Sequence, residues 1–89
     1  MKRLHLRIEG RVQGVWFRDF TQKTATSLGV VGYVENLDDG RVHLVAEGTP
    51  EQVAALLDKL KLGPRGAKVD HIETDDVQAE AFPDFSIRF

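Results

Sequence analysis

Two helical stretches set among β-rich runs predict an α+β fold, with an antiparallel sheet of four or five strands and two helices on one face. Three observations carry that expectation: an alternating apolar run near the N-terminus, a hairpin signal at Asp38-Asp39-Gly40, and a well-capped amphipathic stretch that starts at Thr49. Leu4, Leu6 and Ile8 alternate with His5, Arg7 and Glu9, the period of a strand with one buried face. From Phe17 to Leu28, Phe17, Phe20 or Thr21, Thr24 or Ala25, and Leu28 recur at helical spacing, and Gly29 supplies a stop. Val30 to Leu37 and Arg41 to Gly48 are β-rich, and the turn between them predicts antiparallel pairing. Thr49-Pro50-Glu51-Gln52 combines an N-cap, a proline at the first helical position and a capping-box glutamine. Val53, Leu56, Leu57 and Leu60 then fall on one face of the helix it opens. Gly63-Pro64-Arg65-Gly66 breaks that helix, Ala67 to Val77 carries a poorly alternating strand signal, and Phe85, Ile87 and Phe89 suggest a short last strand.

The order is βαββαβ with a short extra strand. Two helices cannot cover both faces of such a sheet, so they are expected on one. The right-handed crossover rule then favours the ferredoxin-like arrangement, with the first and third strands central. The other face would carry His5, Arg7 and His43.

At 89 residues the chain is read as one domain, residues 1–89. A chain of this size buries roughly 60 to 65% of its unfolded surface, enough to fold alone. With no cysteine it has no disulfide, thiolate nucleophile or zinc-thiolate site. The N-terminus lacks the apolar core of a signal peptide and no run approaches membrane-spanning length, so a soluble, cytoplasmic protein is expected. A formal charge of -2 and a pI near 5.9 argue against nonspecific binding to nucleic acid or anionic membranes. His5, His43 and His71 sit on three different strands without HxH or HxxxH spacing, and Asp38, Asp39, Asp75 and Asp76 lack the spacing of a calcium loop. No metal and no cofactor are therefore expected.

The chemistry concentrates between Ile8 and Arg18, where Gly10 and Gly14 interrupt the passage from strand to helix and Arg11 and Arg18 add charge. The first N–H groups of a helix have no intrahelical acceptor and meet the positive end of the helix dipole, so an anion bound there satisfies them. The glycines permit positive φ and close approach of backbone to ligand. Arg18 offers a planar fork of donors that suits phosphate oxygens. Arg11 is either a steering charge or a solvated one.

With that loop and the hairpin in view, the chain resembles the acylphosphatase family nearly end to end. The likeness is densest in Gly10-Arg11-Val12-Gln13-Gly14-Val15-Trp16-Phe17-Arg18 and in Gly32-Tyr33-Val34-Glu35-Asn36, with Asp39-Gly40, Val42 and Gly48 at the family's spacing. Glu35 departs from the basic or uncharged residue usual before the asparagine, which would make the local field less positive; Pro64-Arg65 departs from a common Pro-Pro pair. The resemblance implies hydrolysis of the carboxyl–phosphate bond of acyl phosphates, with inorganic phosphate as a product, by a monomer. It makes the backbone of Val12, Gln13, Gly14, Val15, Trp16 and Phe17 a phosphate cradle, Arg18 the phosphate-binding arginine and Asn36 the residue that positions the attacking water. A carboxylate is a good leaving group, so gathering phosphoryl charge and aligning water are the main demands, and no side-chain base is needed.

Other readings compete. Asn36, just before Asp38-Asp39-Gly40, is also placed to cap its own turn. Trp16 reads as a rim residue and Phe17 as a core anchor. A noncatalytic anion-binding or accessory module would use the same fold, as in the acylphosphatase-like head of carbamoyl-transfer maturation proteins. RNA-recognition domains share the strand order but place stacking aromatics on the third strand, whereas Arg41-Val42-His43-Leu44-Val45-Ala46-Glu47 has none.

Overall fold

The computed structural model describes residues 1–78 and 81–89. Strand β1 (Lys2–Arg11) leads to helix α1 (Phe17–Leu28) and to the hairpin of β2 (Val31–Asn36) and β3 (Val42–Gly48); helix α2 (Pro50–Leu62), β4 (Lys68–Asp76) and β5 (Phe85–Arg88) follow. The five strands form one sheet in the order β4-β1-β3-β2-β5, so β1 and β3 are interior as expected for a ferredoxin-like fold. Their antiparallel register runs from Lys2 opposite Gly48 to Ile8 opposite Val42.

The alternation in β1 has the predicted consequence. Leu4, Leu6 and Ile8 are buried with Val34, Leu44 and Ala46 from the neighbouring strands, and both helices close over that face with Phe17, Ala25, Val53, Leu56 and Leu60. Of the paired options left open in α1, Thr21 takes the fully buried place and Phe20 packs at the margin. The Thr21 hydroxyl avoids an unpaired polar group by donating to the Phe17 carbonyl at 2.8 Å. Helix α2 starts as its sequence requires: the Thr49 hydroxyl accepts from the Gln52 N–H at 3.1 Å and the Gln52 side chain accepts from the Thr49 N–H at 2.8 Å.

The sheet is mixed, which corrects the expectation of a wholly antiparallel one: β5 joins β2 in parallel, from Gly32 opposite Phe85 to Glu35 opposite Arg88. The chain leaves β4 at one edge and re-enters at the other, a path that puts β5 in the same sense as β2. The weak alternation of β4 also has a cause. Among the described residues it is an edge strand paired only to β1, with Asp70, His71, Glu73, Thr74, Asp75 and Asp76 exposed.

On the face away from the helices, Arg3 donates to Glu47 at 2.6 Å and Arg7 to Asp75 at 3.2 Å. His5 and His43 meet edge to face with ring centroids 4.9 Å apart, a cross-strand neighbourhood that linear spacing does not reveal. Among the described residues no cluster of three metal-ligating side chains forms. No helix of the described chain is long and apolar enough to cross a membrane.

Candidate active site

The loop between β1 and α1 is shaped by backbone positions that few residues tolerate. Gly10 has φ 132° where the register against β4 slips, and a Cβ there would collide with the Lys68 carbonyl oxygen. Gly14 follows with φ 75°. Trp16 then takes φ 63° and ψ 26° as the N-cap of α1, the one non-glycine residue at positive φ among those described. A left-handed conformation costs an L-residue about 1 to 2 kcal/mol, so the surrounding fold must hold Trp16 there.

That turn leaves the helix start open. Trp16 makes no side-chain capping bond, and the first helical hydrogen bond runs from the Phe20 N–H to the Trp16 carbonyl at 3.0 Å. The N–H groups of Phe17, Arg18 and Asp19 precede it and are those that an α-helix leaves without intrahelical acceptors. Phe17 anchors the turn, 2% exposed in the core, while Trp16 is 82% exposed at the rim, as their expected parts require.

A cleft of about 390 Å³ opens at this helix start, lined by Val12, Gly14, Trp16, Phe17, Arg18, Asp19, Asn36, Ile87 and Phe89. The structure thus brings Arg18 and Asn36 to one cavity from α1 and the end of β2. Gln13 and Val15 do not line it with the others. Arg18 has no carboxylate partner among the described residues; its guanidinium donates to the Arg88 carbonyl at 3.1 Å and lies 4.8 Å from the centre of the Phe89 ring. Sequence reasoning missed this support from β5, because the pairing of β5 with β2 that creates it is a long-range event. Arg11 is exposed and makes no ion pair among the described residues.

Asn36 ends β2 opposite Val42, inside the ladder and ahead of the turn. Its Oδ1 is buried and, among the described residues, is the buried side-chain polar atom without a hydrogen-bond partner. Such an atom costs about 1 to 3 kcal/mol unless something donates to it. Glu35, one residue earlier, points to the opposite face of the sheet by the alternation of a strand, and its carboxylate meets His43 Nδ1 at 2.9 Å. The less positive field expected from Glu35 is therefore turned away from the cleft.

Gln13 has a role that the sequence does not show. Its side-chain amide donates to the Leu37 carbonyl at 2.7 Å and to the Arg41 carbonyl at 2.9 Å, fastening the loop to the hairpin just beyond Asn36. Within that hairpin the Leu37 N–H donates to the Arg41 carbonyl at 2.8 Å, and the Asp39 carboxylate accepts from the Arg41 N–H at 3.0 Å and from its guanidinium. The Arg41 contacts hold the Asp39 carboxyl below its usual pKa. Across the sheet, burial followed by repulsion from His43 and Arg7 lowers the pKa of His5, with Asp75 opposing.

The arrangement offers backbone N–H donors and a guanidinium that has no carboxylate partner among the described residues around a cavity that Asn36 also lines: an anion site with a polar side chain beside it. The chain is similar to known proteins over nearly its whole length. The acylphosphatase family model matches residues 4–87. An acylphosphatase of Methanococcoides burtonii is 51% identical over 82 residues, covering 91% of this chain and 85% of its own. The crystal structure of acylphosphatase from Bacillus subtilis superposes with a TM-score of 0.97 at 36% identity over 100% of both chains. The T. kodakarensis HypF structure also contains the fold, with a TM-score of 0.89 at 32% identity, but this chain covers 12% of it.

Proposed function

The chain belongs to the acylphosphatase family and is an acyl phosphate hydrolase; on that premise we propose that the loop from Val12 to Phe17 and Arg18 hold the phosphoryl group while Asn36 orients the water that attacks it. The observation that carries this reading is that Asn36 lines the same cleft as Arg18, an arginine without a carboxylate partner among the described residues, at the open start of α1. The Asn36 side-chain amide hydrogen-bonds the nucleophilic water. The backbone amides and the Arg18 fork gather the phosphoryl oxygens and neutralise charge that spreads over them as the bond to the leaving group stretches. Water oxygen bonds to phosphorus, the bond from phosphorus to the acyl oxygen breaks, and the carboxylate departs with the electron pair. The proton from water goes to a phosphoryl oxygen, which leaves inorganic phosphate. No protein side chain has to take it, which suits a cleft whose one carboxylate side chain among the described residues, Asp19, is paired with Lys23 at 3.1 Å.

The protein acts as one domain over residues 1–89, as a cytoplasmic monomer that needs no metal, cofactor, nucleic acid or membrane. The favourable carboxylate leaving group and the donor set of the cleft support metal-independent hydrolysis. The test is phosphate release from benzoyl phosphate by the wild type and Asn36→Ala. Wild-type turnover should survive EDTA. Asn36→Ala should cut kcat about a hundredfold while the inhibition constant of inorganic phosphate moves less than about threefold, because an ordered nucleophile matters in the transition state more than in the ground state. A variant that loses phosphate affinity at unchanged kcat would make Asn36 a phosphate contact. Wild-type activity that is lost to EDTA and restored by a divalent ion would reject the metal-free mechanism.

A further inference from the structure

Trp16 is the chain's single tryptophan, yet it is 82% exposed, stays outside the core cluster and caps no helix through its side chain. Its backbone holds a φ of 63° that a glycine would adopt without strain. Neither packing nor local conformation therefore calls for this residue, and what it adds is its ring. Trp16 lines the cleft with Ile87 and with Phe89, an exposed residue whose ring approaches the Arg18 guanidinium. A phosphoryl group held by the loop carries its acyl substituent on one bridging oxygen. That substituent has to pass the mouth of the cleft, where the exposed walls are two aromatic rings.

Resting on the phosphate-cradle reading above, we infer that Trp16 and Phe89 form an acyl-group subsite that selects acyl phosphates with an uncharged aromatic or bulky apolar acyl group over acetyl phosphate. The rings cover the apolar substituent while the loop and Arg18 hold the phosphate. Selectivity then resides in a part of the site separate from the groups that do the chemistry.

The test compares kcat/KM for benzoyl phosphate and acetyl phosphate in the wild type and in Trp16→Gly, a replacement that suits the left-handed backbone. The ratio of benzoyl to acetyl should fall about five- to tenfold in the variant, the worth of one aromatic contact. A ratio that stays constant while both substrates turn over would overturn the subsite and leave the phosphate cradle standing. Failure of the wild type to hydrolyse either substrate would overturn both. A second measurement needs neither turnover nor a variant, since the tryptophan emission of the protein comes from Trp16 alone. Benzylphosphonate should shift that emission to the blue as the indole loses water, well beyond any shift that saturating inorganic phosphate produces. Equal responses to the two ligands would place the aromatic group elsewhere.

Discussion

At the start of α2, Thr49 and Gln52 each satisfy the other's backbone N–H; at the start of α1, Trp16 occupies the N-cap position with no capping bond and a left-handed backbone. Both helices pack on the same side of the same sheet and bury comparable apolar stripes. Their packing therefore does not explain the difference. A side-chain cap such as that of α2 would bind the N–H groups an anion needs, so the uncapped start of α1 leaves the helix dipole and its donors available to a ligand. Stability is given up at one end and secured at the other.

Removing the cation from the open start should have the largest effect. Arg18→Ala should lower kcat/KM for benzoyl phosphate about a thousandfold, and Arg18→Lys by about ten- to a hundredfold, because the lysine keeps the charge and loses the fork; a single charge-assisted contact is worth about 1.5 to 3 kcal/mol. Steady-state kinetics with phosphate as competitive inhibitor checks this. Equal activity of the lysine and arginine forms would reduce Arg18 to a point charge.

Loosening the open start from the hairpin should have an intermediate effect. Gln13→Ala deletes the two hydrogen bonds to Leu37 and Arg41, each worth about 0.5 to 1.5 kcal/mol, and leaves the loop backbone able to turn. A fall in kcat of about tenfold, greater than the change in phosphate inhibition, is expected because Asn36 sits next to the released hairpin. Loss of thermal stability with kcat intact would assign Gln13 to folding alone.

Opening the closed start should act on stability and spare chemistry. Thr49→Ala removes one half of the capping box and should cost about 1 kcal/mol, a drop of about 4 to 8 °C in Tm for a domain of this size. Activity at 25 °C should stay at the wild-type level, and differential scanning calorimetry beside the phosphate-release assay measures both.

How much of this was readable in advance follows from the range of the interactions. Helix α1 from Phe17 to Leu28 and the capped start of α2 follow from local signals, since capping residues, proline and apolar periodicity act within a few positions. The central places of β1 and β3 follow from chain order and the handedness rule. The parallel seat of β5 does not, because a four-residue strand carries no mark of the edge it joins. At the site, Arg18 and Asn36 were recognisable by resemblance. The alternation of β2 already separates Asn36 from Glu35, so the outward turn of Glu35 was legible in principle. The buried, unsatisfied oxygen of Asn36 and the hold of Gln13 on the hairpin depend on atoms that meet only in the fold. The left-handed Trp16 was hidden for another reason, since propensity assigns that conformation to glycine or asparagine.

Titration of the labelled protein with inorganic phosphate distinguishes an anion site at the start of α1 from the closed start of α2. The backbone amide resonances from Gln13 to Arg18 should shift in a saturable, common isotherm, while those of Glu51, Gln52 and Val53 at the capped start of α2 stay in place. Shifts of equal size at both helix starts, or none between Gln13 and Arg18, would contradict that distinction.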